Sequence, residues 1–93
     1  MGTKPNMDFL IVGCGISGVT LALKLAENSH RVTIVDAKDH IGGNCFDYFD
    51  QEGICIHKYG THIFHTDNET VWRFLSRFTQ WYPYQHEVKA IID

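Results

Sequence analysis

The spacing of apolar positions divides the chain into elements. Asp8-Phe9-Leu10-Ile11-Val12 is a short apolar run, β-branched toward its end, and reads as a buried strand. Gly13-Cys14-Gly15-Ile16-Ser17-Gly18 follows directly. From about Ser17 to Asn28 the residues Val19, Ala22, Leu23 and Ala26 recur at the i, i+3, i+4, i+7 spacing of one helix face, with Lys24, Glu27 and Asn28 on the wetter side. Ser29-His30 is a short break, and Arg31 to Asp36 is a second β-branched strand. Strand, tight turn, helix, strand predicts a βαβ unit with parallel strands and a right-handed crossover.

Beyond Asp36 the pattern loosens. Residues 37–51 are irregular around Gly42-Gly43-Asn44, Gly53 to His57 reads as a short strand, and Tyr59 to His65 reads as a loop. Thr66-Asp67-Asn68-Glu69 has the form of a capping box. It opens a helix striped by Val71, Trp72, Leu75 and Phe78 that ends near Thr79. Trp81-Tyr82-Pro83-Tyr84 reads as an aromatic turn, and Glu87 to Asp93 alternates like a strand. The expected class is α/β: a Rossmann-like βαβ unit with additional short strands and a helix, the whole of 1–93 forming the N-terminal part of an incomplete dinucleotide-binding domain.

Composition narrows the function classes. With 44% apolar and 20% charged residues over 93 positions, the chain is globular in character and one small domain at most. A net charge of −3 argues against a nucleic-acid surface, which carries a basic excess. No run reaches the ~20 apolar residues of a membrane span. The polar start, Met1-Gly2-Thr3-Lys4-Pro5-Asn6, lacks the apolar stretch of a secretory signal, and Asn6 stands where a myristoylation signal wants Ser or Thr. Met7 offers a second start, which would leave the first six residues as a leader. The 3 cysteines, Cys14, Cys45 and Cys55, form no C-x-x-C pair, so a reduced, cytoplasmic chain is expected.

The glycine loop carries the first chemistry. A lone G-x-G-x-x-G is weak evidence, but here it follows a predicted strand and opens a predicted helix. Gly13 permits the tight turn, Gly15 leaves room for a pyrophosphate to approach the backbone, and Gly18 lets helix and strand pack closely. The helix N-terminus offers N–H groups and partial positive charge to the phosphates. Asp36 closes the second strand, roughly 20 residues after the loop opens. Its carboxylate would accept ribose hydroxyls and repel a 2′-phosphate, which points to NAD or FAD rather than NADP.

Asp36-Ala37-Lys38-Asp39-His40-Ile41-Gly42-Gly43-Asn44 separates those two. It resembles the acid-x-Arg-x-x-x-Gly-Gly extension of the glutathione-reductase-like and amine-oxidase-like flavoproteins, and so implies FAD. Lys38 replaces the usual Arg; it keeps a phosphate-attracting charge without the planar fork. Gly42 and Gly43 would let the chain pass close to the cofactor, and the Asn44 amide can donate and accept.

Four of the 6 histidines lie between His40 and His65. Cys55, His57, His62 and His65 have the atom types of metal ligands, but His62-x-x-His65 is not in a helical pattern and no carboxylate spacing completes a set, so no metal site is expected. His57 reads as an ordinary loop or core histidine.

Together with His40-Ile41-Gly42-Gly43-Asn44, the segment His57-Lys58-Tyr59-Gly60-Thr61-His62-Ile63-Phe64-His65-Thr66-Asp67-Asn68 resembles the bacterial UDP-galactopyranose mutases. The similarity runs from about Phe9 to the C-terminus, and the family is several times longer than this chain. It implies an isomerase of galactofuranose biosynthesis that interconverts UDP-galactopyranose and UDP-galactofuranose. Reduced FAD would serve through N5 as nucleophile on the anomeric carbon. Carried over by motif, Ser17, Asp36, Ala37 and Asn44 contact FAD beside Gly13, Gly15 and Gly18. His62 and Ile63 lie against the flavin ring end, with His65 nearby. His62 and His65 are the catalytic candidates, since an imidazole there favours the anionic reduced flavin or moves a proton. The uridine- and diphosphate-binding residues of the family fall beyond residue 93, so the UDP-galactose site is mostly absent and the chain alone is expected to be inactive. Arg73 and Arg77, at i, i+4, read as a solvated face. No nucleic acid or membrane partner is expected; a homodimer is the assembly allowed for in a longer protein. Two other readings stay open: an FAD-dependent oxidoreductase of the amine-oxidase-like superfamily, and a non-catalytic dinucleotide-binding module.

Overall fold

A computed structural model describes residues 6–93, in two units that divide after His62. The reading of the N-terminal stretch 1–5 lies outside the described residues.

The first unit opens with β1 (Asp8–Val12), α1 (Ile16–Glu27) and β2 (Arg31–Val35). The strands pair in parallel, with Asp8 opposite Arg31 and Val12 opposite Val35, as the βαβ pattern predicts. Each strand is half-buried at alternate positions, Phe9 and Ile11 in β1 and Val32 and Ile34 in β2. The other face is open: Leu10 is 66% and Val12 80% exposed. The expectation of a strand buried on both faces is therefore corrected, because the single helix α1 covers one face only. The helix is also rotated from its expected stripe. Ala22 is buried and Gly18, Leu23 and Leu25 are half-buried, while Val19 and Ala26 are exposed. The close approach at Gly18 centres the inward face there.

The irregular stretch after β2 contains a short 3₁₀ turn, Gly43–Cys45, and then a hairpin of β3 (Asp47–Phe49) and β4 (Cys55–His57). The strands are antiparallel, with Asp47 opposite His57 and Phe49 opposite Cys55. Asp50 fixes the turn: its Oδ1 accepts from the N–H groups of Glu52 at 2.8 Å and Ile54 at 2.9 Å. Gly53 supplies the left-handed residue, at φ 79°. Hairpin and βαβ unit leave Cys14 and Ala22 as the buried apolar residues of the described chain, and all 3 cysteines are free thiols.

The second unit carries α2 (Glu69–Ser76). Its N-cap is Asn68, whose Oδ1 accepts from the N–H of Val71 at 3.1 Å. The capping box headed by Thr66 is thus displaced: the Thr66 Oγ1 accepts from the N–H of Asn68 at 3.0 Å, two residues too early to cap. Glu69, freed from that role, pairs with Arg73 at 3.0 Å. Arg73 and Arg77 are exposed, as the solvated face predicts, and the Arg77 guanidinium also lies over the rings of Phe74 and Phe78. The helix stops at Ser76, short of Thr79. There the Ser76 hydroxyl donates to the Trp72 carbonyl and accepts from Trp81 Nε1 at 2.7 Å. Phe64, Trp72 and Trp81 stack, with the Trp72 and Trp81 rings 4.8 Å apart. Residues 81–93 form no strand. The alternation from Glu87 onward has no partner strand in this unit, and Val88, Ile91 and Ile92 are exposed. Among the described residues, no helix is long and apolar enough to cross a membrane.

Candidate functional site

The three loop glycines meet three different physical demands. Gly13 sits at φ 107°, a conformation that L side chains resist, and its N–H donates to the Val35 carbonyl at 2.7 Å, which ties the loop to the end of β2. A β-carbon on Gly18 would lie 2.1 Å from the Gly13 carbonyl oxygen, so only glycine permits this helix–loop approach. A β-carbon on Gly15 would meet nothing within 4 Å. The space in front of Gly15 is open, at the start of α1. No side chain caps that helix start and its first turn holds no acid, so its N–H groups and partial positive charge are unopposed.

The second glycine pair packs on the first loop. The Gly42 N–H donates to the Cys14 carbonyl at 2.8 Å. Gly43, at φ 58°, comes so close that a β-carbon on it would lie 2.9 Å from Gly15 Cα. The sequence reading gave these glycines a close approach to a ligand. The first thing they approach is the glycine loop itself, in a backbone-on-backbone layer that side chains would prise apart.

Asp36 joins the two segments. Its Oδ2 accepts from the N–H of Cys14 at 2.6 Å and its Oδ1 from the N–H of Lys38 at 2.7 Å. A carboxylate offers about four lone-pair directions, so capacity remains for further donors. The Cys14 N–H first, then the Lys38 N–H, hold the carboxyl below its ordinary range; a cost of burial opposes them, and the charges of Lys38 and His40 add smaller pulls downward. The group is therefore ionised in the folded loop to lower pH than in the unfolded chain. The stability it lends is present above the unfolded value of about 3.9 and is lost as pH falls through the lower folded value. A carbon-detected titration of the Asp36 carboxyl should give a midpoint below the ordinary carboxylate value, with the Cys14 amide shift following it. A midpoint at or above that value would show the two N–H bonds to be absent in solution.

Lys38, expected to attract phosphate, bonds Asn44 Oδ1 through Nζ at 3.1 Å and stands 4.1 Å from the centre of the Tyr59 ring. His40 stacks on Phe46 at 3.9 Å. Its Nδ1 faces the Ile41 carbonyl at 2.9 Å, which only accepts, so Nδ1 is the donor. In the neutral ring Nε2 then accepts from the Tyr59 hydroxyl at 2.6 Å. Cys14, Ile34, Asp36, Lys38, Asp39, His40 and Ile41 line a shallow cleft of about 440 Å³. Ser17 is exposed in the first turn of α1, and Ala37 is exposed beside Asp36.

His62 Nε2 lies 3.6 Å from Asp47 Oδ1, and its ring meets the His57 ring edge-on at 4.5 Å. Ile63 and His65 belong to the second unit and are exposed. Sequence reasoning missed Tyr59, which holds both Lys38 and His40, and Asp47, which meets two histidines. Only the hairpin register could have found Asp47, because it pairs positions ten apart in sequence.

The family described as NAD(P)-binding Rossmann-like domain matches residues 11–78. A probable UDP-galactopyranose mutase of Klebsiella pneumoniae is 48% identical over 89 residues, 95% of this chain and 23% of the relative. A dTDP-fucopyranose mutase of Escherichia coli is 51% identical over 82 residues, 87% of this chain and 22% of the relative. A UDP-galactopyranose mutase of Mycoplasma genitalium is 51% identical over 84 residues, 89% of this chain and 21% of the relative. The chain thus spans less than a quarter of the length of these relatives.

Proposed function

The chain belongs to the NAD(P)-binding Rossmann-like domain family, and from its similarity to UDP-galactopyranose mutases we propose that it is the FAD-binding N-terminal part of a mutase acting on UDP-galactopyranose. The observation that carries the reading is the doubled glycine layer: Gly42-Gly43 bonded through Gly42 N–H to the Cys14 carbonyl, beside an open space at Gly15. A dinucleotide fits these residues. The pyrophosphate takes the space that a Gly15 side chain would fill and receives the N–H groups at the start of α1. Asp36, fixed by two backbone donors, turns its remaining lone pairs to the adenosine ribose. Ser17, Ala37 and Asn44 join that contact by motif, with Lys38 holding the Asn44 amide in place. The open apolar face at Leu10, Val12 and Val35 supports a longer protein, since parallel sheets are covered on both faces.

Reduced FAD, when bound, supplies a nucleophilic nitrogen, N5, for the anomeric carbon of the sugar. The chain's own part is to hold the dinucleotide and to aim its ring end. His62 and Ile63 are assigned to that ring end by motif, with His65 nearby; the imidazole of His62 tunes the reduced flavin or moves a proton. The similarity to a dTDP-fucopyranose mutase favours one second reading, a different nucleotide sugar at the same chemistry. The test is a protein that extends this chain to the length of its relatives, given UDP-galactofuranose or dTDP-fucofuranose with dithionite. Conversion of the first at the higher kcat/KM supports the reading, and preference for the second replaces it. Within that protein, Asp36→Ala should weaken FAD binding roughly ten- to hundredfold, as expected for lost charge-assisted hydrogen bonds. An unchanged titration would assign Asp36 to the loop alone.

A further inference from the structure

Tyr59 reaches the loop after β2 from a turn beyond the hairpin. The Lys58 N–H donates to the Phe46 carbonyl at 3.4 Å, and the Gly60 N–H to the His57 carbonyl at 3.2 Å. Gly60 makes that turn in the left-handed region, at φ 107°. The Tyr59 ring then meets the loop at two points. The Lys38 ammonium stands 4.1 Å from the ring centre, while that of Lys58 is farther away, at 5.7 Å. The Tyr59 hydroxyl donates to His40 Nε2 at 2.6 Å, and Phe46 stacks on the same imidazole at 3.9 Å. Lys38 and His40 line the cleft together with Asp36, whereas Tyr59 does not. Any effect of Tyr59 on a ligand there passes through those neighbours.

We propose that Tyr59 is a positioning residue for the adenosine half of the dinucleotide, an inference that rests on the FAD reading above. Lys38 is the link. Its N–H donates to Asp36 Oδ1 at 2.7 Å, so the main chain at Lys38 fixes one oxygen of the carboxylate that the proposed site turns to the ribose. Its ammonium bonds Asn44 at 3.1 Å. An ammonium only donates, so the atom it meets is the amide oxygen, and the Asn44 NH₂ group keeps its protons for a ligand. A lysine side chain has much rotamer freedom to lose, and the face of Tyr59 confines it. His40, held between Phe46 and the Tyr59 hydroxyl, secures the next part of the loop, where the Ile41 carbonyl accepts from Nδ1. The loop is therefore ordered before the dinucleotide arrives, and binding does not bear that entropy.

The test uses the longer protein stripped of flavin, titrated with FAD and separately with ADP as the probe of the adenosine half. Tyr59→Leu removes one cation–π contact and one hydrogen bond, and should weaken both ligands about tenfold. Tyr59→Phe keeps the ring over Lys38 and loses only the hydroxyl, so its loss should be smaller, roughly two- to fivefold. Tyr59 is 42% exposed and lies outside the strands, so the β3 and β4 amide signals should persist in both variants. Coupling separates positioning from general damage. In an Asp36→Ala background, Tyr59→Leu should cost at most about threefold, because the carboxylate it places is gone; independent effects would multiply in full. Three results overturn the role and leave the FAD reading standing: unchanged FAD affinity in Tyr59→Leu, a loss for FAD with none for ADP, or full multiplication with Asp36→Ala. Failure of the unaltered protein to bind FAD overturns both.

Discussion

Gly15→Val, in a protein extending this chain, is expected to fold and to lose its dinucleotide. The backbone at Gly15 is extended, at φ −79° and ψ −173°, so valine adopts it without strain. Its β-carbon would meet no protein atom within 4 Å. The isopropyl group instead fills the space that the proposed site assigns to the pyrophosphate. Affinity should fall at least about a hundredfold, or ~2.7 kcal/mol, and the purified protein should lose its yellow colour. Gly18→Ala is the informative companion. Its β-carbon would lie 2.1 Å from a backbone oxygen that cannot yield without moving the loop. That overlap should cost roughly 3 kcal/mol or more of stability, read as a lower urea midpoint. One substitution thus removes the ligand and spares the fold, while its neighbour damages the fold. Retention of stoichiometric flavin by Gly15→Val would place the pyrophosphate elsewhere.

The difference between these glycines marks how far the residues alone could be read. The order strand, glycine loop, helix, strand was legible because local periodicity and glycine spacing carry it. The tight turn at Gly13 and the close packing at Gly18 followed from the same motif, and both are observed at the expected positions. Other features depend on partners remote in sequence. Whether Leu10 and Val12 are covered depends on what lies over the sheet, not on β1 itself. The alternation of Glu87 to Asp93 is a sound strand pattern with no strand in its own unit to pair with. Thr66 and Asn68 are both good capping residues, and the one whose carboxamide reaches the Val71 N–H took the position. Asp47 sat in a stretch without period, and only the turn held by Asp50 brings it to His57.

Turnover by the longer protein is expected to require reduction without consuming reductant. The motivating observation is the combination of a dinucleotide loop with the segment from His57 to Asn68, together with 48% and 51% identity to mutases that act on sugar nucleotides. A ring contraction changes no oxidation state, so electrons given to the flavin must still be there after each cycle. UDP-galactofuranose should convert to UDP-galactopyranose after dithionite treatment and not before. One two-electron equivalent of reductant per flavin should support many turnovers. His62→Ala should lower kcat by about a hundredfold, the low end for a group that moves a proton, with FAD content unchanged. A smaller loss, below about tenfold and insensitive to pH, would assign His62 to packing beside the flavin rather than to proton transfer. Two results would sink the mutase reading altogether: equal turnover by the oxidised protein, or one equivalent of electron acceptor consumed per product. Either would make the same loop, the same glycine layer and the same Asp36 part of a flavin oxidoreductase, with the fold intact and the reaction class changed.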